Sequence, residues 1–221
     1  MVAHELRGPL TAVKGAARTL LRHRGRLDPE VARQLLENVD SESDRLDHIL
    51  DGLLALSRAE AGLPEPGERS TPLRPLLAKL VAEMRPRAGT RQLTLRASPG
   101  LPPARAHSLG LEQIVRNLLD NALKYSPPEA RVVVTATRRG DDLEVAVRND
   151  GPPIRPDVLA RLFDRFYRGP SFAGRRGGSG LGLTICRRLV EAQGGRIWAE
   201  SDRARGTVVR FTVPPATETV P

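Results

Sequence analysis

Apolar residues recur at alternating intervals of four and three along the first part of the chain, which predicts an amphipathic helix. The apolar seam of this helix consists of Leu6, Leu10, Val13, Ala17 and Leu20. Gly25 is suited to ending the helix, because glycine adopts backbone conformations that other residues avoid. Asp28 and Pro29 then form a typical helix start, with an N-capping carboxylate followed by proline at the first helical position.

A second apolar seam follows, and its spacings again combine intervals of three and four. It consists of Leu35, Val39, Leu46, Ile49, Leu53 and Leu56. Glu42 falls within the seam and weakens the pattern there. Two helices joined by a short turn form a helical hairpin, and one hairpin cannot cover both of its seams. The pattern therefore predicts a homodimer in which two hairpins form a four-helix bundle.

The pattern changes after the hairpin. Residues 63–68 contain two prolines and a glycine without periodicity, which predicts a linker. Helices are then predicted over 72–85, 108–125 and 180–193, and strands over 92–97, 131–138, 143–148, 196–201 and 207–213. The second and third of these strands alternate like a hairpin that turns at Gly140. Grouped strands and helices predict an α/β sandwich, a sheet with helices on one face.

The net charge of +9 is unevenly distributed over the 221 residues. Residues 1–62 carry 9 basic and 10 acidic residues, whereas the remainder carries 26 basic and 16 acidic residues. A basic second part suits a polyanionic ligand. Nucleic acid is not the expected ligand, because Phe, Tyr and Trp make up only 3% of the chain and base-stacking platforms are rich in aromatics.

The chain has the features of a protein in a reducing compartment. No stretch approaches 18 consecutive apolar residues, so we expect no membrane-spanning segment, and no secretory leader is recognisable. The single cysteine, Cys186, excludes an internal disulfide. We therefore expect a cytoplasmic location.

A histidine stands beside a carboxylate near the start of the first helix. Because Leu6 and Leu10 form the seam, His4 lies on a different face, where a partner domain can reach it. Its imidazole is mostly neutral near pH 7 and can act as a nucleophile. Glu5 can take the ring proton or hold the tautomer. Alone this is weak evidence, since most surface His–Glu pairs are structural or solvated.

A polar stripe marks one face of the predicted helix 108–125. Asn117, Asn121 and Lys124 stand at positions i, i+4 and i+7. Amide oxygens in such a row either form a structural hydrogen-bond network or bind Mg²⁺ and phosphates. The chain has 32 arginines but only 3 lysines, so a lysine in this stripe indicates a need for a compact point charge.

Two further segments have the composition of ligand-binding turns. Asn149, Asp150 and Gly151 leave the end of a strand, where polar groups can bind a purine edge, although an ordinary turn has the same composition. Residues 177–182 are glycine-rich and lead into a helix, whose backbone N–H groups can hold an anion. The segment lacks the Lys-Ser/Thr of a P-loop and the last glycine of a dinucleotide fingerprint.

Aromatic residues cluster between these two turns. Phe163, Phe166 and Tyr167 fall within five residues of an aromatic-poor chain. They can anchor a mobile lid formed by residues 151–178, which is longer than a structureless connection usually is. A small satellite core is the alternative.

Taken in order, these segments resemble the transmitter region of bacterial two-component sensor histidine kinases. Residues 4–10 are similar to the phosphoacceptor box, 117–127 to the N box, 149–154 to the first glycine box, 163–168 to the F box and 178–183 to the second glycine box. Five boxes in the right order are far more specific than any one of them. The resemblance covers nearly the whole chain.

The resemblance implies a particular division of the chain. Residues 1–62 are expected to form a dimerisation and phosphoacceptor hairpin, followed by a linker over 63–70. Residues 71–214 are expected to form a catalytic domain with the Bergerat ATP-binding fold, followed by a tail over 215–221. The fold class is thus α plus α/β.

The resemblance also implies the activity and its residues. Members of this family transfer the γ-phosphoryl group of Mg-ATP to a histidine and then to an aspartate of a response regulator. The implied catalytic residues are His4 as phosphoacceptor, Glu5 as base and Arg168 as a stabiliser of γ-phosphate charge. The implied ATP-binding residues are Asn117, Asn121, Lys124, Tyr125, Asn149, Asp150, Gly151, Gly178, Gly180, Leu181 and Gly182. Asn117 and Asn121 are also the implied Mg²⁺ ligands.

Three positions depart from the family pattern. The adenine-reading aspartate is replaced by Asn149, unless Asp150 takes its place, and an uncharged acceptor should hold the base more weakly. Pro153 replaces the second glycine of its box, which should stiffen the start of the lid. Gly8 stands where the family usually has Thr or Asn, the side chain linked to dephosphorylation of the regulator. We therefore expect weak or absent regulator phosphatase activity.

Two expectations concern the protein as a whole. The chain starts three residues before His4, whereas family members enter this helix from a signal-transmitting segment. We expect a sensor upstream, through which the full-length protein can be anchored in the inner membrane. A nucleotide-binding pseudokinase or scaffold of the same fold is the alternative function, supported by Asn149 and Pro153.

Overall fold

The computed structural model describes residues 2–23, 25–60, 70–165, 167 and 181–216. Within the first two helices, the side chains of residues 2–6, 44–45 and 47–60 lie outside this description. The predicted linker over 63–68 also lies outside it. In the described residues, no helix is both long and apolar enough to cross a lipid bilayer.

The chain begins with a helical hairpin, as the apolar seams predict. α1 (Val2–Arg22) and α2 (Pro29–Glu60) pack against each other. Gly25 has a φ of +76°, a conformation that favours glycine. The backbone N–H of Glu30 donates to the Asp28 carboxylate at 2.8 Å, which confirms the predicted helix cap.

The second part of the chain is a mixed α/β unit. Its elements are β1 (Ser70–Thr71), α3 (Leu73–Ala88), β2 (Gln92–Ala97), β3 (Ala104–Arg105), α4 (Ser108–Tyr125), β4 (Arg131–Arg139), β5 (Asp142–Asn149), α5 (Pro156–Leu159), α6 (Gly182–Glu191), β6 (Ile197–Asp202) and β7 (Gly206–Val213). The main sheet has the order β2-β4-β5-β7-β6, in which β2 and β4 are parallel and the other pairs antiparallel. β5 is therefore the central strand.

One face of the main sheet is covered by α3, α4 and α6. The core between these layers includes Leu77, Leu80, Leu111, Ile114, Leu118, Ile185, Leu189, Val132, Val134, Val145 and Phe211, all almost completely buried. Burial of this apolar surface is the main force holding the layers together. The helical-hairpin and α/β-sandwich fold class is confirmed.

The register of β5 assigns its side chains to the two faces of the sheet. Leu143, Val145, Val147 and Asn149 face the helices, because side chains alternate along a strand. On the opposite face, Glu144 is 5% exposed and accepts hydrogen bonds from Arg139 at 2.8 Å and Arg210 at 2.9 Å. The helix-facing series thus ends in a polar residue.

The structure contains three short elements that the sequence pattern did not predict. β1 and β3 form a two-stranded antiparallel sheet, and each has only two residues. α5 is a four-residue helix within the segment predicted as a lid. Elements this short contain too few residues to display a hydrophobic period, so pattern analysis cannot detect them.

Candidate functional site

The polar stripe of α4 faces the beginning of α6. The Asn117 amide Nδ2 donates to the backbone carbonyl of Gly182 at 3.4 Å, and its Oδ1 accepts from Gln113 Nε2 at 3.4 Å. In the described part of the chain, no residue hydrogen-bonds the half-buried Asn121 amide one turn further on. The structural network therefore involves Asn117, while the Asn121 amide is available to a ligand.

The start of α6 is a helix terminus of the kind that suits an anion. Its N-cap residue is Leu181, which is buried and provides no side-chain hydrogen bond to the first turn. The first N–H groups of a helix have no partner within it, and the helix dipole adds positive potential there. A ligand carrying negative charge can satisfy both. Because Asn117 binds Gly182, this terminus lies next to the amide stripe.

The end of α4 lies beside the turn that follows β5. The Lys124 ammonium is 5.3 Å from the centroid of the Tyr125 ring. A Cβ atom placed on Gly151 would lie 2.9 Å from the Tyr125 carbonyl oxygen and 2.6 Å from Asn149 Nδ2. Only glycine allows so close an approach. Gly151 therefore lets the turn after β5 lie against both the end of α4 and the end of β5.

Asn149 and Asp150 point to opposite faces of the sheet. Asn149 ends the helix-facing series of β5 and is 7% exposed. The Asp150 carboxylate accepts hydrogen bonds from Arg131 at 2.9 Å and Arg148 at 2.8 Å. Partial burial raises the Asp150 pKa, but the hydrogen bonds from Arg148 and Arg131 outweigh it and leave the pKa below its ordinary value. Asn149 is thus the residue whose side chain borders α4.

The backbone at the end of β5 is held tightly by β7. Gly206 has a φ of +73°, and a Cβ atom there would lie 2.2 Å from the Asn149 carbonyl oxygen. A side chain at position 206 would therefore displace either β7 or the end of β5. Asn149 also pairs with Thr207 of β7 and Val132 of β4. The position of its backbone is fixed from both sides.

The described part of the predicted lid is anchored at two points. Thr184 lies in the first turn of α6, and its hydroxyl donates to the Phe163 carbonyl at 3.1 Å. The Ile154 N–H donates to Ser201 Oγ at 2.9 Å. Phe166, Arg168, Gly178 and Gly180 lie outside the described residues. The lid remains a prediction for that part of the segment.

The structure places the predicted phosphoacceptor pair in the first turns of α1. The side chains of His4 and Glu5 lie outside the described part of the structure, so their roles stay predictions. The hairpin does contact the second unit, because α2 lies against α6. The helix whose N-terminus suits an anion, α6, is therefore also the helix that contacts the α1–α2 hairpin.

Two residues of the site were missed by the sequence analysis. Gln113 hydrogen-bonds Asn117 from one turn earlier on α4, and the i, i+4 spacing was the available signal. Thr184 binds the carbonyl of Phe163, a contact between segments that no local pattern reveals. Thr184 is 1% exposed, so its hydroxyl requires this partner.

The single cysteine of the chain, Cys186, lies close to the site but is buried. Cys186 is fully buried between α4 and α6, and its thiol lies 3.7 Å from the Ile114 carbonyl. Burial raises the pKa of this thiol to about 12. A thiol is reactive as the thiolate, so Cys186 belongs to the core.

The described residues offer amide oxygens, not a carboxylate cluster, to a metal ion. No group of three His, Cys, Asp or Glu side chains converges on a metal-sized site within the described ranges. The oxygens of Asn117 and Asn121 are hard ligands of the kind that Mg²⁺ accepts together with phosphate oxygens. The residues present therefore fit a magnesium ion that is held chiefly by a phosphorylated ligand.

The polar stripe of α4, the start of α6 and the turn after β5 adjoin one another. We call the region along them the crevice, and its two ends differ chemically. One end has the amides of α4 and the N-terminus of α6, which suit phosphate groups. The other end has the Asn149 amide beside Gly151, which suits a flat polar ring. A nucleoside polyphosphate combines both.

Comparison with known proteins gives two family matches. Residues 106–217 match the family described as histidine kinase-, DNA gyrase B-, and HSP90-like ATPase, and residues 1–62 match the His Kinase A (phospho-acceptor) domain. The chain is 33% identical over 218 residues to the methanogenesis regulatory histidine kinase FilI of Methanothrix harundinacea. That match covers 96% of this chain but only 24% of the length of FilI.

Two solved structures are similar to the whole chain. Full-length ShkA, in complex with AMPPNP, aligns with a TM-score of 0.71 and 29% identity, covering 97% of this chain and 44% of ShkA. ThkA, in complex with the response regulator protein TrrA, aligns with a TM-score of 0.71 and 24% identity. That alignment covers 99% of this chain and 61% of the ThkA chain, and it supports the fold.

Proposed function

Because the chain belongs to the histidine kinase family, with a phospho-acceptor domain followed by an ATPase domain, we propose that it phosphorylates its own His4 from Mg-ATP. The phosphoryl group would then pass to an aspartate of a response regulator. The observation that supports this proposal best is the Asn117–Gly182 hydrogen bond, which brings the N box and the second glycine box together.

The crevice residues have distinct proposed roles toward the nucleotide. The N-terminus of α6, with Leu181 and Gly182, binds phosphate oxygens, and Gly178 and Gly180 allow the lid to wrap them. Lys124 adds positive charge, and Tyr125 contacts the nucleotide. Asn149 and Gly151 receive the base, while Asp150 holds the turn through its arginine partners. Asn117 and Asn121 would hold Mg²⁺ through their amide oxygens, and the ion would supply positive charge that offsets the charge of the phosphates.

The transfer step uses the remaining predicted residues. A ring nitrogen of His4 attacks the γ-phosphorus, the bond between that phosphorus and the β–γ bridging oxygen breaks, and ADP leaves. Glu5 accepts the proton released from the imidazole, and Arg168 stabilises the charge on the transferred group. The second transfer forms an acyl phosphate on the regulator and returns His4 to its neutral form.

We also propose that two copies of the chain form the functional unit. On the hairpin, Leu10, Leu21, Val31 and Leu36 are large apolar side chains exposed to solvent, and Leu21 is 73% exposed. Pairing two hairpins into a four-helix bundle would cover such residues. The solved complex of ThkA with TrrA shows that a protein of this fold can bind a response regulator.

The alternative function is a pseudokinase or scaffold that binds nucleotide without transferring phosphate. Its specific support is the uncharged Asn149 together with Pro153. We divide the chain for either function at the boundaries predicted above, with the hairpin over 1–62 and the catalytic domain over 71–214.

The test compares the chain with His4→Gln and a matched control. After incubation with γ-labelled ATP and Mg²⁺, we expect acid-labile, base-stable label on the chain and none on His4→Gln. His23→Gln, an exposed histidine at the end of α1, should label normally. Nucleotide binding without label would favour the pseudokinase. Label that persists in His4→Gln would contradict the assigned phosphoacceptor.

A further inference from the structure

We propose that Asn149 does not discriminate between the two purine bases, so that this chain binds guanine nucleotides about as well as adenine nucleotides. The inference rests on the proposed nucleotide-binding function and concerns the base, not the phosphates. It follows from one buried amide and the groups around it.

The Asn149 side chain has unused hydrogen-bonding capacity. It is 7% exposed, yet no described residue donates to or accepts from its amide. In the described chain, the buried side-chain atoms that lack both a partner and solvent contact belong to Arg148 and Gln193. The Asn149 amide is not among them, and it lies beside Gly151 and the end of α4.

This placement is unfavourable for the protein alone. The other helix-facing residues of β5 are Leu143, Val145 and Val147, each nearly completely buried. An amide in the same series loses most of its hydration without gaining a hydrogen-bond partner among the described residues, which is unfavourable. A ligand that pairs with the amide removes this cost.

An amide can pair with either purine. Adenine presents a donor at its 6-amino group and an acceptor at N1, whereas guanine presents an acceptor at its 6-oxo group and a donor at N1. An asparagine amide has one donor group and one acceptor group side by side. Rotating it by half a turn exchanges the two, so the same side chain can make a two-point contact with either base.

A carboxylate at this position would behave differently. It is an acceptor only, so with the 6-substituent of the base facing residue 149 it can take a hydrogen bond from the adenine 6-amino group but repels the guanine 6-oxo group. Guanine pairs with a carboxylate only if it shifts so that its N1–H and 2-amino group face that carboxylate. Asp150 does not supply that carboxylate, because Arg131 and Arg148 hold it on the opposite face of the sheet. Whether the protein distinguishes adenine from guanine therefore depends on residue 149, which is an uncharged asparagine.

Gly151 leaves the Asn149 amide free of one steric restriction. A Cβ atom at position 151 would lie only 2.6 Å from Nδ2. Since glycine has no Cβ, no side chain at this position blocks a half-turn of the amide. Backbone pairing to β4 and β7 fixes the strand while the side chain turns.

The test measures dissociation constants of the whole chain for ADP and GDP in the presence of Mg²⁺, by calorimetry. We expect the two constants to agree within about tenfold, since each base forms hydrogen bonds of similar kind. Asn149→Asp should shift the ratio toward ADP by at least about tenfold, mainly through weaker GDP binding. Gln92→Glu makes the same amide-to-carboxylate change at an exposed strand position and should leave the ratio unchanged.

The outcomes separate this inference from the proposed function. Tight ADP binding with a preference over GDP of about a hundredfold or more would overturn the inference and leave the kinase proposal intact. A ratio near one in both the chain and a folded Asn149→Asp variant would also overturn it. Binding of neither nucleotide would overturn both proposals. If Asn149→Asp does not fold, the ratio measured for the unsubstituted chain still decides.

Discussion

The side-chain amide of Asn117 donates a hydrogen bond to the backbone carbonyl of Gly182, 65 positions further along the chain. The bond joins the polar stripe of α4 to the first turn of α6. It therefore sets the distance between the proposed Mg²⁺ ligands and the proposed phosphate-binding helix terminus. The arrangement of the phosphate end of the crevice depends on this contact.

Asn117→Ala should weaken Mg-ADP binding by about tenfold or more, because it removes both the contact to α6 and one of the proposed Mg²⁺-binding oxygens. The unfolding free energy should fall by only about 1–2 kcal/mol, since the two hydrogen bonds that are lost, to Gly182 and from Gln113, are long and partly exposed. Calorimetry and urea unfolding measure the two effects. Gln113→Ala, which removes only the neighbouring amide, should change affinity less than about threefold. Equal losses in both variants would contradict the assigned role of Asn117.

Thr184→Val should loosen the start of the lid while keeping the shape of the core. The Thr184 hydroxyl is buried and donates to the Phe163 carbonyl, so its loss leaves that carbonyl without this partner. We expect the unfolding free energy to fall by about 1–2 kcal/mol and proteolysis within residues 151–165 to become faster. Thr94→Val, at an exposed position on β2, should do neither. Unchanged proteolysis in Thr184→Val would show that the hydroxyl does not anchor the lid.

Asp150→Asn should destabilise the chain in a pH-dependent way. The folded-state pKa of Asp150 lies below its ordinary value of 3.8, so the ionised carboxylate stabilises the fold. That contribution is fully present above the unfolded-state pKa and is lost as the pH falls through the folded-state pKa. The difference between the chain and Asp150→Asn should therefore be about 1 kcal/mol at pH 7 and vanish under strongly acidic conditions.

The control for that series is Asp141→Asn, in the exposed turn between β4 and β5. Among the described residues, none forms an ion pair with Asp141. Its substitution should change the unfolding free energy by less than about 0.5 kcal/mol at each pH. A destabilisation of Asp150→Asn that persists undiminished at low pH would exclude the ion pair as its cause.

Gly8→Thr should increase regulator phosphatase activity, which we expect to be weak or absent in the unsubstituted chain. A Cβ atom at Gly8 would meet nothing within 4 Å among the described residues, so the new side chain fits. Dephosphorylation of a phosphorylated regulator should become about tenfold faster or more, if the hydroxyl positions water as expected. Gly15→Thr is the matched control, because a Cβ atom there is equally unhindered. Rapid ATP-dependent phosphatase activity in the unsubstituted chain would refute the expectation.

The sequence predicted the larger elements of the fold well. The bounds of α4 were predicted correctly as 108–125, because a strong apolar seam and a following proline define that helix. The β4–β5 hairpin was predicted within two residues of its bounds, since strict alternation ends at a glycine turn. The parallel pairing of β2 with β4 could not be predicted from local patterns. The two strands are separated along the chain by α4, and their pairing depends on how that helix packs on the sheet.

The candidate site was predicted less completely than the fold. The sequence left open whether Asn149 or Asp150 faces the crevice, because a shift of one residue moves every side chain of a strand to the other face. The pairing of Asn149 with Val132 and Thr207 decides in favour of Asn149. The Thr184–Phe163 contact joins segments whose spatial relation no local pattern records.

Gly206 affects the base end of the crevice, although it is not one of the proposed ligand-binding residues. Because any side chain there would collide with the Asn149 carbonyl, a mutation at 206 would alter the recognition of the base indirectly. A genetic screen for defective signalling should accordingly recover substitutions in the turn before β7, and such alleles would be mistaken for simple folding defects. If Asn149 receives the base as proposed, this turn belongs to the structure that determines which nucleotide binds.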